Sequence, residues 1–287
     1  QRQRTALSNM LDLDNRHKTH GNVAPKPYAP PWKLLVYDAH CQKLLSPLLT
    51  VADLRKRGVT LHLLLDAERE PIVDVPAVYF VKPNHDNLRR IAADMKKQLY
   101  ESFHLNFSPP IPRPLLEELA VRTLESDSVA LVSRVTDQYL NFATLEDDLF
   151  SLQLGSAHRT LSQPGHSDKQ IDAAIDDIVG GLFSVLVTLG VVPLVRFPRR
   201  GGPARLVGER LGERLHAQLK AHPDLFSGGD SGAVLQRPLL LIAERDDDVG
   251  IMVQHGWSYA ALCHDLLDMR LNRLTINEAL DGGGSRA

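Results

Sequence analysis

Two short motifs contain the residue types of a nucleophilic hydrolase. His40 lies between an alanine and a cysteine, and Ser231 lies in a Gly-Asp-Ser-Gly run, surroundings that these residues have in many serine proteases. Such chemistry needs a histidine that takes the serine proton and an acid that orients the histidine. Proteases with this pair of motifs are all-β, whereas His40 directly follows a predicted parallel strand, which argues against a triad. The simpler interpretation of residues 228–232 is a loop.

A cluster of carboxylates offers a second chemistry. Asp246, Asp247 and Asp248 follow a predicted strand at 239–243. The carboxyl ends of strands in α/β sheets are where carboxylates that hold Mg²⁺ are often placed. A metal-dependent hydrolase or transferase that uses these three residues is therefore the enzymatic alternative. Charged loops of this kind are more often solvated, or paired with an arginine such as Arg245.

Other ligand-binding patterns are weak. His85 and His264 are each followed by an aspartate, but the chain has no HExxH or CxxC motif, so no metal site is predicted from them. The glycines between 201 and 208 lack the Lys-Ser/Thr end of a phosphate-binding loop, and no cofactor is predicted. The arginines between 196 and 205 could meet a phosphate, although a solvated face is the simpler interpretation.

Composition excludes several classes of protein. The 287 residues include 33 basic and 35 acidic side chains, and this balance provides no general field that would attract nucleic acid. Two cysteines, Cys41 and Cys263, allow at most one disulfide, which fits a reducing compartment. The most apolar run, 182–195, falls short of the ~20 residues that span a bilayer. We predict no nucleic-acid partner and only a peripheral association with membranes.

The elements that would position these residues alternate between short strands and amphipathic helices, as in a parallel α/β sheet. Strands or strand-like runs are predicted at 32–37, 61–65, 77–81 and 103–107, and helices at 50–57 and 86–100. A proline-rich break at 108–114 follows. Beyond it, Leu115 to Leu124 and Val132 to Tyr139 predict a pair of helices. The predicted fold is α/β, with a Rossmann-like parallel sheet flanked by helices.

The second half predicts a second, incomplete α/β domain. Ser167 and Gln170 form a capping-box pattern that begins a long helix. Gly180 and Gly181 inside that helix indicate close packing more than a bound ligand. Further strands are predicted at 192–197 and 239–243, and helices at 203–219 and 257–271. The predicted divisions are an N-terminal helix and extended lead-in at 1–31, a first domain at 32–136 and a second at 137–287.

The helical pair after the proline-rich break is a candidate binding groove. Its apolar positions are Leu116, Leu119, Ala120, Val132 and Val135. The small Ala120 leaves room for an aromatic side chain inserted by a partner. The same spacing is also typical of core positions, so the core interpretation and the groove interpretation both stand.

Eight runs spread over nearly the whole chain share their pattern and order with one known family. They are residues 32–38, 46–49, 58–65, 74–81, 137–142, 188–193, 236–240 and 264–268, which read WKLLVYD, SPLL, GVTLHLLL, DVPAVYFV, DQYLNF, TLGVVP, QRPLL and HDLLD. By these runs the chain resembles the SM (Sec/Munc) family, which chaperones SNARE assembly in vesicle fusion. The resemblance is strongest to its ER–Golgi, Sly-type branch.

The resemblance implies a non-catalytic, cytoplasmic regulator of ER–Golgi transport that reaches ER and Golgi membranes through SNAREs and acts as a monomer. Its implied partner is a syntaxin of the ER–Golgi type, whose N-terminal peptide inserts a phenylalanine into a hydrophobic pocket of the first domain. Carried over residue by residue, that pocket falls on Leu116, Leu119, Ala120, Val132 and Val135. The groove found in the pattern and the pocket implied by the family therefore coincide.

The chain also departs from the family pattern. The stretch that begins at Asp246 departs from the Asp-Arg-x-x-Asp sequence usual at this point, so Asp248 matches the usual acidic position only approximately. Family members continue into a large helical third domain and then return to complete the second domain. From this we expect binding of the N-terminal peptide without full templating of a SNARE bundle.

Overall fold

A five-stranded sheet organises the first half of the molecule. The computed structural model describes residues 1–13, 32–226, 237–270, 273–276, 278–280 and 284–286. The strands of the sheet are β1 Lys33–Tyr37, β2 Val59–Leu64, β3 Ala77–Val81, β4 Phe103–Phe107 and β5 Val132–Asp137. Their order across the sheet is β2-β1-β3-β4-β5, and every neighbouring pair is parallel. This architecture confirms the predicted parallel α/β fold.

Helices cover both faces of this sheet. They are α1 Arg2–Leu11, α2 Ala39–Leu45, α3 Val51–Lys56, α4 His85–Lys96 and α5 Arg113–Glu125. Successive strand residues point to opposite faces, so Leu35 and Val78 enter a core with α1, α2 and α3, whereas Leu34 and Tyr79 enter a second core with α4 and α5. All five residues of β1 and of β3 are buried, which explains their continuous apolar runs.

Side-chain caps fix where several helices begin. The Thr50 and Ser167 hydroxyls each accept a hydrogen bond from the backbone N–H three residues later, and both sites form complete capping boxes. The second of these confirms the helix start predicted at 167–170. At the other end of that helix, Gly190 adopts φ 65°, the left-handed conformation that suits a glycine at a helix C-terminus.

The second half forms a smaller α/β unit. Its strands include β6 Ala143–Thr144, β7 Phe150–Ser151, β8 Leu194–Arg196 and β9 Leu239–Leu241, and its helices are α6 Ala157–Ser162, α7 Asp168–Leu189, α8 Pro203–Ala221 and α9 Tyr259–Leu266. Strands β6 and β7 pair as an antiparallel hairpin, whereas β8 and β9 pair in parallel. A third core forms where Phe183 of α7 meets Leu211 of α8.

The helix predicted from Val132, Val135 and Tyr139 is wrong, because residues 132–137 form the edge strand β5. Four of the six residues in this strand are Val, Ser or Thr. Among these, the β-branched valines and threonine favour an extended backbone. The backbone of β4 offers a ladder of hydrogen bonds along its free side, and β5 occupies it. The residues predicted to form the groove therefore lie on a helix, α5, and a strand, β5.

Three other boundaries differ from the sequence-based expectation. Helix α4 ends at Lys96, since Gln98 takes a positive φ of 50°. Helix α9 ends at Leu266, after which residues 268–270 pair antiparallel with 273–275. Strands β8 and β9 are short because prolines at 193, 198 and 238 flank them and cannot donate backbone hydrogen bonds.

Two predictions concern the ends of the first domain. Helix α1 agrees with the expected N-terminal helix, whereas the expected extended lead-in, residues 14–31, lies outside the described residues. The division at 136/137 stays a prediction, since Leu140 belongs to the first core and Tyr139 packs against the third. No helix among the described residues is both long and apolar enough to cross a membrane.

Candidate functional site

The candidate groove lies between α5 and β5 at the edge of the sheet. Pro112 and Pro114 bracket the start of α5, where missing backbone donors cost nothing because first-turn N–H groups have no partner within the helix. Ahead of them, the Ile111 backbone N–H donates to Asp137 Oδ1 at 2.9 Å. This bond ties the segment entering α5 to the last residue of β5, and so fixes the helix relative to the strand.

The five predicted groove residues divide into a floor and a rim. Leu119 is only 4% exposed and belongs to the core beneath α4 and α5, and half-buried Val132 packs against the same core. Leu116 and Val135 are each 40% exposed, and Ala120 is also exposed. The core interpretation is therefore correct for Leu119 and Val132, whereas the groove interpretation stays a prediction for which Leu116, Ala120 and Val135 are accessible.

A β-bulge brings Val132 and Val135 to the same face of their strand. Val132 lies opposite Phe103, and Val135 lies opposite Leu105. The two valines are three positions apart in β5, whereas their partners are only two positions apart in β4. Phe103 and Leu105 point into the same core as Leu119. Since directly paired residues share a face, both valines face the α5 side of the sheet.

The rim of the groove extends beyond the predicted residues. Val121, Leu124 and Val129 are 53%, 68% and 52% exposed and lie on the later turns of α5 or just after it. The sequence contained a signal for one of them, because Leu124 follows Leu116 and Ala120 at the four-residue spacing of one helix face. The exposed apolar strip therefore runs along the length of α5.

An ionic network supports the other side of α5. Glu118 Oε1 lies 2.8 Å from the Arg122 guanidinium, and Glu118 Oε2 lies 2.6 Å from His85 Nδ1 at the start of α4. The hydrogen bonds from Arg122 and then from His85 lower the pKa of the Glu118 carboxyl below its ordinary value. This network links α4 to α5.

Asp38 lies at the carboxyl edge of the sheet and is held there by hydrogen bonds. In this strand order the usual ligand crevice lies between the ends of β1 and β3. Asp38, just after β1, accepts hydrogen bonds from the Cys41 N–H at 2.7 Å, the Lys82 N–H at 2.8 Å and Asn87 Nδ2 at 2.7 Å. These contacts occupy the position where an α/β enzyme would hold its ligand.

The residues considered for a serine triad do not assemble among the described residues. His40 Nε2 lies 2.8 Å from Asn141 Oδ1, a bond that ties α2 to the segment after β5. Burial lowers the pKa of His40, and the bond to Asn141 raises it by less. Ser231 and the rest of 228–232 lie outside the described residues, so their predicted loop is not described.

The carboxylate cluster is dispersed and exposed. Asp247 pairs with Arg200, and Asp248 Oδ1 accepts a hydrogen bond from the Gly250 N–H at 3.0 Å. The arginine partner is thus Arg200, whereas the sequence had indicated Arg245. Within the described residues, no group of three or more His, Cys, Asp or Glu side chains is arranged to hold a metal ion.

The glycine-rich start of α8 is already capped by a carboxylate. Glu244 Oε1 accepts a hydrogen bond from the Ala204 backbone N–H at 2.8 Å. An anion bound at this helix N-terminus would have to displace that side chain. The arginines nearby are engaged as well, since Arg205 pairs with Glu209 at 2.8 Å. This geometry agrees with the interpretation of the basic run as a solvated, internally paired face.

Comparisons with known proteins point to one family. Residues 33–285 match the model of the Sec1 family. The chain is 47% identical over 277 residues to the Arabidopsis thaliana SEC1 family transport protein SLY1, and 43% identical over 288 residues to the human Sec1 family domain-containing protein 1. These alignments cover 96% and 97% of this chain but 43% and 44% of the relatives, so the chain spans less than half of their length.

A solved structure is similar over the same extent. It is described as Sly1p in complex with an N-terminal peptide of Sed5p, and it superposes with a TM-score of 0.84 at 32% sequence identity. The superposition covers 96% of this chain and 46% of that one.

Proposed function

The chain belongs to the Sec1 family, and from this premise we propose that it is a SNARE-binding regulator of vesicle docking and fusion in ER–Golgi transport. In this proposal the five-stranded unit binds the N-terminal peptide of a Golgi-type syntaxin. The binding site is the groove formed by Leu116, Leu119, Ala120, Val132 and Val135.

The observation that carries this proposal is the apolar groove itself. Its support is the burial of Leu119 and the exposure of the aliphatic side chains of Leu116 and Val135. In addition, Val132 and Val135 lie on the face of β5 that Phe103 and Leu105 share with the core of Leu119. A second support is that the similar protein Sly1p was solved with an N-terminal peptide of Sed5p.

The groove geometry indicates how such a peptide is held. An aromatic side chain that enters between α5 and β5 rests on Leu119 and is flanked by Leu116 and Val135. Ala120 contributes a single methyl group, so the ring can approach the helix closely. Full burial of such a ring is worth about 2–3 kcal/mol, which would make it the anchor of the interface.

We further propose that the protein acts without catalysis, in the cytoplasm and at the surface of ER and Golgi membranes through its SNARE partners. A non-catalytic role is supported by the engagement of the Asp38 carboxylate, at the end of β1, with the Lys82 backbone N–H and the Asn87 side chain. The metal-dependent alternative has no support in the described geometry, since Asp247 pairs with Arg200 and Asp248 caps a turn.

The test is a binding titration of a labelled syntaxin N-terminal peptide against Leu116→Lys. The substitution replaces an aliphatic side chain that flanks the aromatic ring with a charged one, so we expect affinity to fall at least tenfold. Leu119→Lys should abolish binding, but its buried position makes thermal unfolding a necessary companion measurement.

A matched control is Leu61→Lys. Leu61 is 46% exposed and lies on β2, at the opposite edge of the sheet from the groove. The control should bind the peptide as the unmodified chain does. Equal affinity of folded Leu116→Lys and the unmodified chain would remove the groove from the proposal.

A further inference from the structure

A second apolar surface lies where the two halves of the chain meet. It is a cleft of about 470 Å³ between the start of α1, the β6–β7 hairpin and the last turns of α7. We call it the hairpin cleft, and its principal lining residues are Arg2, Phe142, Leu149, Phe150, Val185 and Leu189. It shares no residue with the groove on α5 and β5.

The floor of the hairpin cleft is apolar. Phe142 and Val185 are buried, and the Phe150 ring packs edge-on against Phe142 with centroids 5.9 Å apart. Leu149 and Leu189 are 50% and 42% exposed at its mouth. Aliphatic side chains grouped in a concave surface favour contact with an apolar side chain of a partner.

The rim of the hairpin cleft is acidic. Glu146, Asp147 and Asp148 form the turn of the hairpin and are all exposed. In the part of the chain that the structure describes, none of these carboxylates makes an ion pair or a side-chain hydrogen bond. They are therefore available to a cation that approaches the cleft.

The end of α7 already binds a cation that the chain itself supplies. A helix C-terminus carries a partial negative charge, and no basic residue lies in the last turn of α7. Arg2 shows how a cation is held there, because its guanidinium donates a hydrogen bond to the Leu189 carbonyl oxygen. The same cleft thus already receives one guanidinium from the chain itself.

We propose that the hairpin cleft is a docking site for a basic, amphipathic segment of a protein partner. An apolar side chain of that segment covers Phe150 and Leu189, and flanking lysines or arginines meet Asp147 and Asp148. The acidic rim opposes an anionic membrane surface, so a protein segment fits this chemistry better than lipid does. This docking site is independent of the groove proposed for the syntaxin peptide.

The probe is a fluorescein-labelled, alanine-based helical peptide of about 14 residues, with leucines on one face and lysines beside them. A second peptide carries glutamates in place of the lysines. We expect the lysine peptide to bind the 287-residue chain, more weakly as salt rises from about 50 to 200 mM, and the glutamate peptide not to bind.

Variants locate the binding. Asp147→Asn combined with Asp148→Asn should weaken the lysine peptide about fivefold, and Leu149→Ser should also weaken it. The matched control, Asp246→Asn with Asp248→Asn, makes the same change of charge elsewhere and should leave affinity unchanged, as should Leu61→Lys on the edge strand β2.

Three results would overturn the proposal: no binding of the lysine peptide, equal weakening by both aspartate pairs, or self-association of the chain that Leu149→Ser abolishes. The second would indicate general attraction by charge, and the third would make the cleft a contact between copies. Binding of the syntaxin peptide to Leu116→Lys is measured in a separate titration. The groove proposal and the hairpin-cleft proposal can therefore be rejected independently of each other.

Discussion

Val132 and Val135 lie on the same face of strand β5, although a regular strand would place residues three apart on opposite faces. The bulge opposite Phe103 and His104 shifts the register by one residue, so that Val132 pairs with Phe103 and Val135 with Leu105. Arg134, between them, pairs with His104 and lines a polar cavity on the other face of the sheet. The bulge therefore places two residues with a helix-like spacing on one face of a strand.

This register predicts a contrast between adjacent residues. Val135→Ser should weaken binding of a syntaxin N-terminal peptide roughly tenfold, because it removes most of the apolar rim that β5 contributes. Arg134→Ser is the matched change on the opposite face and should leave affinity unchanged. The measurement is fluorescence anisotropy on both folded variants, and a larger loss in Arg134→Ser would show that the register is different in solution.

Adjacent glycines in α7 predict opposite effects on stability. A Cβ atom at Gly181 would lie 2.8 Å from Leu152 Cδ2, whereas one at Gly180 would have no neighbour closer than 3.7 Å. Gly180→Ala should stabilise the fold by up to about 1 kcal/mol through helix propensity. Gly181→Ala should forfeit that gain and destabilise by about 1–3 kcal/mol.

Urea unfolding of the two glycine variants measures the difference directly. Both substitutions add one methyl group to the same helix, so each controls for the other. Similar stabilities of the two variants would mean that Leu152 moves aside without cost.

The ion pair between Arg69 and Asp94 predicts a large loss of stability when it is broken. Their side chains are 5% and 8% exposed, the closest atoms are 2.8 Å apart, and the Tyr79 hydroxyl also donates to Asp94 at 2.8 Å. Asp94→Ala should cost about 3–5 kcal/mol because it leaves a buried guanidinium without its partner. Chemical denaturation provides the value.

An exposed ion pair supplies the control for Asp94→Ala. Arg113 and Glu117 lie 2.9 Å apart, and their side chains are 89% and 64% exposed. Glu117→Ala should change the free energy of unfolding by less than about 1 kcal/mol, since solvent screens such a pair. Comparable losses in the two variants would contradict the role of burial.

His40 predicts a pH dependence of stability. Burial lowers the pKa of its imidazole below the ordinary value of 6.5; the bond to Asn141 and nearby Asp38 raise it, and Lys82 and Lys43 lower it. The unfolded chain therefore binds a proton on this histidine more readily than the folded chain does. The stability that neutral His40 contributes is fully present above the ordinary pKa and is lost as pH falls through the lowered pKa.

The matched variant is His40→Gln, whose amide can still donate a hydrogen bond to Asn141 but does not titrate. The free energy of unfolding of the unmodified chain, relative to that of His40→Gln, should decrease as pH is lowered from about 7.5 to about 5. Both proteins share every other titratable group, so the difference isolates His40. A constant difference across this range would show that burial does not lower the pKa of His40.

The sequence by itself determined the elements whose signals are local. Buried strands such as β1 and β3 are continuous apolar runs, and the capping box at Ser167 marks the start of α7, because short-range sterics and hydrogen bonds set both patterns. The five groove residues stay a prediction, which rests on their spacing and on the family resemblance.

Only the tertiary structure decided that the second side of the groove is a strand. The interval between Val132 and Val135 is compatible with a helix, and the choice depends on the free edge of β4, which lies some 30 residues earlier in the chain. The hairpin cleft likewise joins Arg2 to Leu189, a contact that no local pattern records. In both cases the deciding interactions connect segments distant in sequence, and a local pattern of residue types holds no information about which distant backbone will be available to pair.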